Sequence, residues 1–145
     1  MAKREPVYVA LGSNLGDRAG HLAHARARLA ALPRTRLVRA SRVEETAPLG
    51  PIAQGPYLNQ MVLLETELEP TELLRHLHAI EAERGRVRTV RWGPRTLDLD
   101  LVRYGERALH DRDLTIPHPE LPHRDFWLRE IAELDADAPS PSDAR

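Results

Sequence analysis

Residues 91–100, RWGPRTLDLD, combine side chains that could act together on a phosphate group. Asp98 and Asp100 are one residue apart, so on a strand both project to one side while the neighbouring leucines face the other. Two adjacent carboxylates repel each other unless a cation binds, and Mg²⁺ is favoured because it needs few protein oxygens. The same spacing is typical of an ordinary half-exposed strand, so the pair needs support from its neighbours.

That support comes from arginine. Five arginines fall within the twelve residues 84–95, and Lys3 is the only lysine in the chain. Guanidinium groups donate two parallel hydrogen bonds to phosphate or carboxylate oxygens, which an ammonium group cannot do. Carboxylates for a metal ion beside arginines for the remaining oxygens predict a site for a nucleotide polyphosphate.

The usual nucleotide-binding motif is missing, because no glycine-rich loop leads into Gly-Lys-Ser/Thr. This excludes a P-loop kinase. The segment LGSNLG supplies Gly12 and Gly16 after the first predicted strand, but this spacing more often marks a tight turn, and we assign it no phosphate.

Apolar periodicity predicts the elements that position these side chains. Strands are predicted at 6–11, 37–44, 57–66 and 97–104, and segment 107–114 is predicted to form a hairpin with the last strand through Gly105. Helices are predicted from the SNLGDR turn to Pro33, from Pro70 to near Gly85, and over about 124–134. The order βαββαβ predicts an α/β (α+β) ferredoxin-like sandwich, in which helices pack on the faces of an antiparallel sheet.

Composition limits the class of protein. A chain of 145 residues with 41% apolar side chains fits one domain, predicted at 1–134, and the polar tail 135–145 is predicted to be disordered. The absence of cysteine excludes thiol nucleophiles and Cys-ligated zinc. With a net charge of −1 and no long apolar run, we expect a cytoplasmic monomer that binds neither nucleic acid nor membranes.

Several segments together resemble one family. The run RWGPRTLDLDLV is similar to the signature of 6-hydroxymethyl-7,8-dihydropterin pyrophosphokinase (2-amino-4-hydroxy-6-hydroxymethyldihydropteridine diphosphokinase), and VALGSNLGDR, ETAPLGP, YLNQMVLLET, IEAERGRVR, IPHPELPHRDFWL and REIAEL match in order over about residues 6–134. The resemblance implies a folate-pathway transferase that moves pyrophosphate from ATP to the hydroxymethyl group of the pterin, giving AMP and the pterin diphosphate.

The resemblance also implies roles for particular residues. Two Mg²⁺ ions would bind Asp98 and Asp100, and Arg86 and Arg95 would be the catalytic arginines. The implied ATP contacts are Glu81, Arg88, Arg91, Leu101, Thr115, His118 and Arg124. The implied pterin contacts are Thr46, Leu49, Tyr57, Asn59, Trp92 and Phe126. A flat heterocycle suits stacking between aromatic rings, with an amide to recognise its hydrogen-bonding edge.

Three features depart from the family pattern: Ala47 where relatives often have proline, His78 where glutamine is expected, and the short C-terminal segment. Two other functions remain possible from the residues alone. A metal-dependent nucleotide hydrolase or nuclease would also use paired carboxylates and arginines. An RNA-binding module of the same fold would need a broad basic face and exposed aromatic rings, which a 4% aromatic content disfavours.

Overall fold

A computed structural model describes residues 3–48, 54–85 and 96–136. The elements in these ranges, in chain order, are β1 (Glu5–Ser13), α1 (Arg18–Ala30), β2 (Thr35–Ala40), β3 (Glu44–Thr46), β4 (Tyr57–Thr66), α2 (Pro70–Glu83), β5 (Asp98–Tyr104), β6 (Leu109–His110), β7 (Thr115–Ile116), a 3-10 helix (Leu121–His123) and α3 (Asp125–Ala136). The predicted tail lies outside the described residues, apart from the two residues that end α3.

Strand β1 lies at the centre of the main sheet and pairs with a neighbour on each side. It pairs with β4, where Gly12 is opposite Asn59, and with β5, where Gly12 is opposite Asp98. Strands β2 and β3 both pair with β4, so the main order is β2–β4–β1–β5. All of these pairs are antiparallel, as the sequence predicted.

Helices cover both faces of this sheet. One face packs on α1 and α2 through a stripe of apolar side chains that includes Leu22 and Leu73. The other face packs on α3 through Trp127 and Ile131, which contact a cluster that includes Tyr8. Burying each large apolar side chain contributes about 1.5–3 kcal/mol, so both layers are strongly held. The ferredoxin-like α/β sandwich is confirmed.

The predicted helix ends are close to the observed ones. Helix α1 follows Asp17, whose Oδ1 atom accepts a hydrogen bond from the Gly20 amide at 3.0 Å. Helix α2 begins at Pro70, and Gly85 follows its last turn with φ +76. This backbone conformation favours glycine because other side chains meet the following carbonyl. The prediction of a helix from Pro70 to near Gly85 is confirmed.

The predicted hairpin between β5 and segment 107–114 is wrong. Strand β6 pairs with β7 instead, and the Asp111 amide donates to the Leu114 carbonyl at 2.9 Å to close their turn. The chain does turn at Gly105, and beyond this turn Arg107 forms ion pairs with Glu5 and Glu69. The turn signal at Gly105 is therefore correct, but it does not determine which strand the next segment pairs with.

The predicted strand 37–44 is divided into β2 and β3. At the break, the Ser41 hydroxyl accepts a hydrogen bond from the Met61 amide at 2.9 Å, in place of a backbone acceptor. The next amide, of Arg42, donates to Glu133 on α3 at 2.8 Å. The Ser41 amide still donates to the Met61 carbonyl at 2.8 Å, so the regular ladder is interrupted where side chains accept the next hydrogen bonds.

Glu130 on α3 is an unusual buried carboxyl group. It is 1% exposed, and neither carboxylate oxygen has a hydrogen-bond partner in the described part of the chain. Burial, followed by the neighbouring Glu44 carboxylate, raises the pKa of Glu130 from 4.5 to about 8. Folding therefore favours the protonated form, and the protein binds one more proton when folded than when unfolded between these two pKa values.

We predict that this group makes stability fall as pH rises from about 4.5 to about 8. Glu130→Gln, which cannot ionise, is expected to exceed wild type in free energy of unfolding by about 4 kcal/mol near pH 8, with a difference of less than about 1 kcal/mol near pH 5. Urea denaturation of both proteins across this range measures the difference. A Glu106→Gln variant, at an exposed position, serves as the control, and a pH-independent difference for Glu130→Gln would contradict the prediction.

Candidate active site

A cavity of about 380 Å³ opens on the α3 side of the sheet. It extends across β4, β1 and β5 and reaches the segment that precedes α3. Its lining combines carboxylates, a histidine, an arginine and aromatic rings, in Ala10, Leu11, Gly12, Thr46, Ala47, Tyr57, Asn59, Asp98, Asp100, His118, Glu120, Arg124, Phe126 and Trp127. Its size and mixed lining fit a small polar aromatic ligand.

Three residues in register across the sheet form part of the cavity floor. Asn59, Gly12 and Asp98 are successive partners across β4, β1 and β5, so their side chains lie on one face of the sheet. A Cβ atom on Gly12 would lie 3.3 Å from Asn59 Oδ1 and 3.4 Å from the Tyr57 ring. Glycine therefore leaves open the space between the Asn59 amide and the Asp98 carboxylate.

Asp98 and Asp100 project together on the α3 side, while Leu99 and Leu101 are buried on the opposite side. The predicted alternation along β5 is confirmed. A second cavity, of about 360 Å³, lies beside the first and shares Asp98, Asp100 and His118 with it. The carboxylate pair therefore borders two adjacent cavities rather than one.

These carboxylates suit a magnesium ion. Among the described residues, no group of three or more His, Cys, Asp or Glu side chains could hold a metal ion by itself. Two carboxylates with space beside them match Mg²⁺, which commonly takes one or two protein carboxylates and fills its other positions with phosphate oxygens and water. The arrangement does not match a closed structural zinc site, which takes four protein ligands.

His118 and Arg124 place donors beside Asp100. His118 Nε2 lies 3.7 Å from Asp100 Oδ1, and Arg124 Nη1 lies 4.0 Å from Asp100 Oδ2. The Glu120 amide donates to His118 Nδ1 at 3.0 Å, so Nε2 carries the proton of the neutral ring and faces the carboxylate. Both side chains can donate to a further anion bound next to Asp100.

Trp127 holds these two donors in position. Its buried ring lies below the Arg124 guanidinium, whose Cζ atom is 4.4 Å from the ring centroid. The His118 ring meets the same ring edge-on, with centroids 4.9 Å apart. Packing on a fixed aromatic ring lowers the entropy lost when the donors bind an anion, so the donors are preorganised.

The opposite wall of the cavity carries an aromatic ring and an amide. Asn59 is buried, and its Nδ2 atom donates to the Thr46 hydroxyl, which fixes the amide plane. Tyr57 pairs with Thr46 across β3 and β4, and Phe126 contributes a second ring from the start of α3. Two rings and an oriented amide in one cavity suit a planar heterocycle with a hydrogen-bonding edge.

Comparison with known proteins identifies the relatives of this chain. Residues 8–136 match the model of the 7,8-dihydro-6-hydroxymethylpterin-pyrophosphokinase family. The chain belongs to this pyrophosphokinase family. It is 46% identical over 131 residues to the 2-amino-4-hydroxy-6-hydroxymethyldihydropteridine pyrophosphokinase of Pseudomonas aeruginosa, covering 90% of this chain and 81% of the relative. The enzymes of the same name from Haemophilus influenzae and Bacillus subtilis are each 42% identical, covering 93% and 88% of this chain and 84% and 76% of those relatives.

The structure brings most of the described residues that were predicted for the site to the two cavities. The predicted residues that line the first cavity are Thr46, Tyr57, Asn59, Asp98, Asp100, His118, Arg124 and Phe126. Leu101 and Thr115 line the second cavity, together with His78. Glu81 lines neither cavity; it is buried and accepts a hydrogen bond from the Leu99 amide at 2.8 Å, which supports β5. The predicted residues Leu49, Arg86, Arg88, Arg91, Trp92 and Arg95 lie outside the described residues.

Sequence analysis missed the contributions of Gly12 and Trp127. Gly12 was assigned only to a tight turn, although its lack of a side chain opens the cavity floor. Trp127 follows Phe126 in the IPHPELPHRDFWL segment, but its support of His118 and Arg124 depends on the path of the chain before α3. The signal available in the sequence was the presence of His118 and Arg124 in the same segment as Trp127.

Phe126 provides a test of the aromatic wall. We predict that Phe126→Ala weakens pterin binding by about 1–3 kcal/mol, the range for losing one aromatic stacking partner, and weakens ATP binding less. Calorimetric titration with each ligand separates the two effects. Leu128→Ala is the matched control, since Leu128 lies on the same helix with 42% exposure. Equal losses for both ligands would instead mean that Phe126 only supports α3.

Proposed function

We propose that the two adjacent cavities are where this chain transfers the pyrophosphoryl group of ATP to the hydroxymethyl group of 6-hydroxymethyl-7,8-dihydropterin. The chain is an ATP-dependent diphosphokinase of folate biosynthesis, as its family membership indicates. The supporting observation is that one carboxylate pair, Asp98 and Asp100, borders both cavities. A transfer between two bound substrates requires a shared boundary of this kind.

We assign the pterin to the first cavity and the phosphate chain of ATP to the boundary with the second. Tyr57 and Phe126 would contact the faces of the pterin, and the Asn59 amide would bind its polar edge. Leu101 and Thr115 would contact the nucleotide in the second cavity. In this proposal, the hydroxymethyl group would lie on the side of the pterin that faces the carboxylates.

The reaction is an in-line displacement at the β-phosphorus of ATP. The hydroxymethyl oxygen forms a bond to this phosphorus, and the bond from the same phosphorus to the oxygen shared with the α-phosphate breaks. AMP leaves with that oxygen, and the hydroxyl proton passes to solvent. The products are AMP and the pterin diphosphate, so atoms and charge balance.

The side chains of the chain would orient and neutralise the reacting groups. His118 and Arg124 would donate to phosphate oxygens as negative charge builds up, and their fixed positions on Trp127 avoid reorganisation at that moment. Asp98 and Asp100 would hold Mg²⁺, and we expect two ions. Bound Mg²⁺ supplies charge neutralisation on the phosphate oxygens and favours loss of the hydroxyl proton. The predicted roles of Arg86 and Arg95 in the same step remain predictions.

One incubation tests the proposed function. Purified protein receives ATP and Mg²⁺, with or without the pterin alcohol, and the nucleotide products are identified. AMP formed only when the pterin is present supports the transfer. ADP and phosphate, or cleavage of added nucleic acid, would contradict it and support the hydrolase or nuclease alternative.

The RNA-binding alternative is disfavoured by the packing of the sheet. RNA-binding modules of this fold stack bases on rings exposed on a sheet face. Here α3 covers that face, where Trp127 and Ile131 pack against Tyr8 and Met61. No helix within the described ranges is long and apolar enough to cross a membrane. A monomeric state and a cytoplasmic location remain proposals from the sequence.

A further inference from the structure

Arg18 occupies an unfavourable position for a cation. It is the first residue of α1, where the backbone amides create a partial positive charge, and the first turn of this helix contains no acidic residue. An acidic or neutral residue would be favoured there by local electrostatics alone. The carboxylate of the N-cap Asp17 and the contacts of the Arg18 side chain offset this unfavourable placement.

The Arg18 side chain contacts residues on both sides of the short ladder between β3 and β4. Arg18 Nη1 donates to Glu45 Oε2 at 3.0 Å and to the Pro56 carbonyl at 3.0 Å. Glu45 directly precedes Thr46, and Pro56 directly precedes Tyr57. Thr46 and Tyr57 are opposite each other in the β3–β4 ladder. One nitrogen atom therefore joins the two strands at the end of the ladder that borders the cavity.

The start of helix α1, which carries Arg18, is held rigidly. Helix α1 is capped by Asp17, and its first residues are further held by the bond from the Arg18 amide to the Gly16 carbonyl at 3.0 Å. One turn later, Leu22 is buried in the core. The position of the Arg18 side chain is therefore set by the helix, while β3 has only three residues to hold it. Arg18 therefore adds an attachment to α1, beside the bond that Arg129 on α3 makes to Glu44 at the other end of this strand.

We propose that Arg18 is a positioning residue for the pterin-binding wall, acting through Glu45 and Pro56 on Thr46 and Tyr57. This inference rests on the proposed assignment of the pterin to that cavity. Within the described ranges, the hydrogen bonds of the Arg18 side chain go to Glu45 and Pro56, on the side of the site assigned to the pterin. Arg18 acts only on the pterin-binding wall, so the loss of its side chain changes pterin affinity and leaves ATP affinity unchanged.

Substitution separates this role from a general effect on stability. Arg18→Ala is expected to raise the pterin dissociation constant about 3- to 10-fold, since a partly exposed ion pair and one charged hydrogen bond are lost, while the ATP dissociation constant changes less than about 2-fold. Arg18→Lys is expected to restore most of the pterin affinity, because a single nitrogen makes both contacts. Arg36→Ala is the control, since Arg36 is an exposed arginine with an ion pair to Glu65 on β4.

Hydrogen exchange tests the same inference without substrate. In the ligand-free protein, Arg18→Ala is expected to exchange the amides of residues 57–59 faster than wild type, whereas Arg36→Ala leaves them unchanged. Glu45→Gln provides a second variant and is expected to give part of both effects. The inference is overturned if Arg18→Ala keeps wild-type pterin affinity and exchange, or if ATP and pterin affinity fall equally. Failure of the proposed function would appear separately, as a wild-type protein that binds no pterin.

Discussion

Asp98→Asn and Asp100→Asn, made singly, are expected to lower pyrophosphoryl transfer by about 10³-fold or more. Each substitution removes one of the two described carboxylates that can hold Mg²⁺ against the phosphate oxygens, a contribution of several kcal/mol to the transition state. The rate of AMP formation at saturating substrates and Mg²⁺ measures the loss. Asp111→Asn, at an exposed turn between β6 and β7, is the matched control and is expected to retain full activity.

The two variants are expected to differ in stability without metal. The two carboxylates lie side by side on β5 and repel each other, but Asp100 also attracts Arg124, whose Nη1 atom lies 4.0 Å away. Thermal unfolding of Asp98→Asn in a chelating buffer is therefore expected at or above the wild-type temperature, and that of Asp100→Asn below the temperature of Asp98→Asn. Either variant turning over at a near-wild-type rate in saturating Mg²⁺ would mean that these carboxylates do not hold the catalytic ion.

Arg124→Ala is expected to lower turnover by about 10²-fold, the usual order for losing a preorganised donor aimed at developing charge. The side chain is 18% exposed and packs on Trp127, which fixes its position next to Asp100. Arg124→Lys is expected to recover only part of the rate, because an ammonium group lacks the planar fork and its stacking on the ring. Single-turnover rates and ATP dissociation constants distinguish binding from chemistry.

Arg103 gives a matched control for this experiment. It also lies over an aromatic ring, 5.7 Å from the Tyr8 centroid, but it lines neither cavity of the site. Arg103→Ala is therefore expected to leave the single-turnover rate and the ATP dissociation constant unchanged. A large rise in the ATP dissociation constant with a normal chemical step for Arg124→Ala would assign Arg124 to nucleotide anchoring. The search for the arginine that acts on the transition state would then turn to Arg86 and Arg95.

Local patterns predicted the carboxylate pair well. The alternation of Asp98 and Asp100 with buried leucines requires only the two-residue period of a strand. The placement of Asn59 beside Asp98 required the register of two strand pairs, which join residues far apart in the sequence. Periodicity carries no information about that register, so the cavity floor at Gly12 was not predicted.

The error of prediction at Gly105 arose because a local turn signal carries no information about long-range pairing. The glycine at 105 favoured a hairpin with β5, but the following segment forms β6 and pairs with β7. The outer edge of β5 instead accepts a hydrogen bond from His118, whose amide donates to the Val102 carbonyl at 2.9 Å. This bond also places the His118 ring beside Asp100. A contact between distant segments therefore decided both the fold of this region and the position of a site residue.

The central place of β1 has a consequence for how this sequence can change through evolution. Asn59 on β4 and Asp98 on β5 lie on opposite sides of Gly12. The distance between these two residues therefore equals two interstrand spacings, roughly 10 Å. Gaining or losing one residue within β1 would turn Gly12 to the other face and bring a larger side chain between them. Insertions and deletions should therefore accumulate in connections such as the β6–β7 turn, while the length of β1 stays constant across functional descendants.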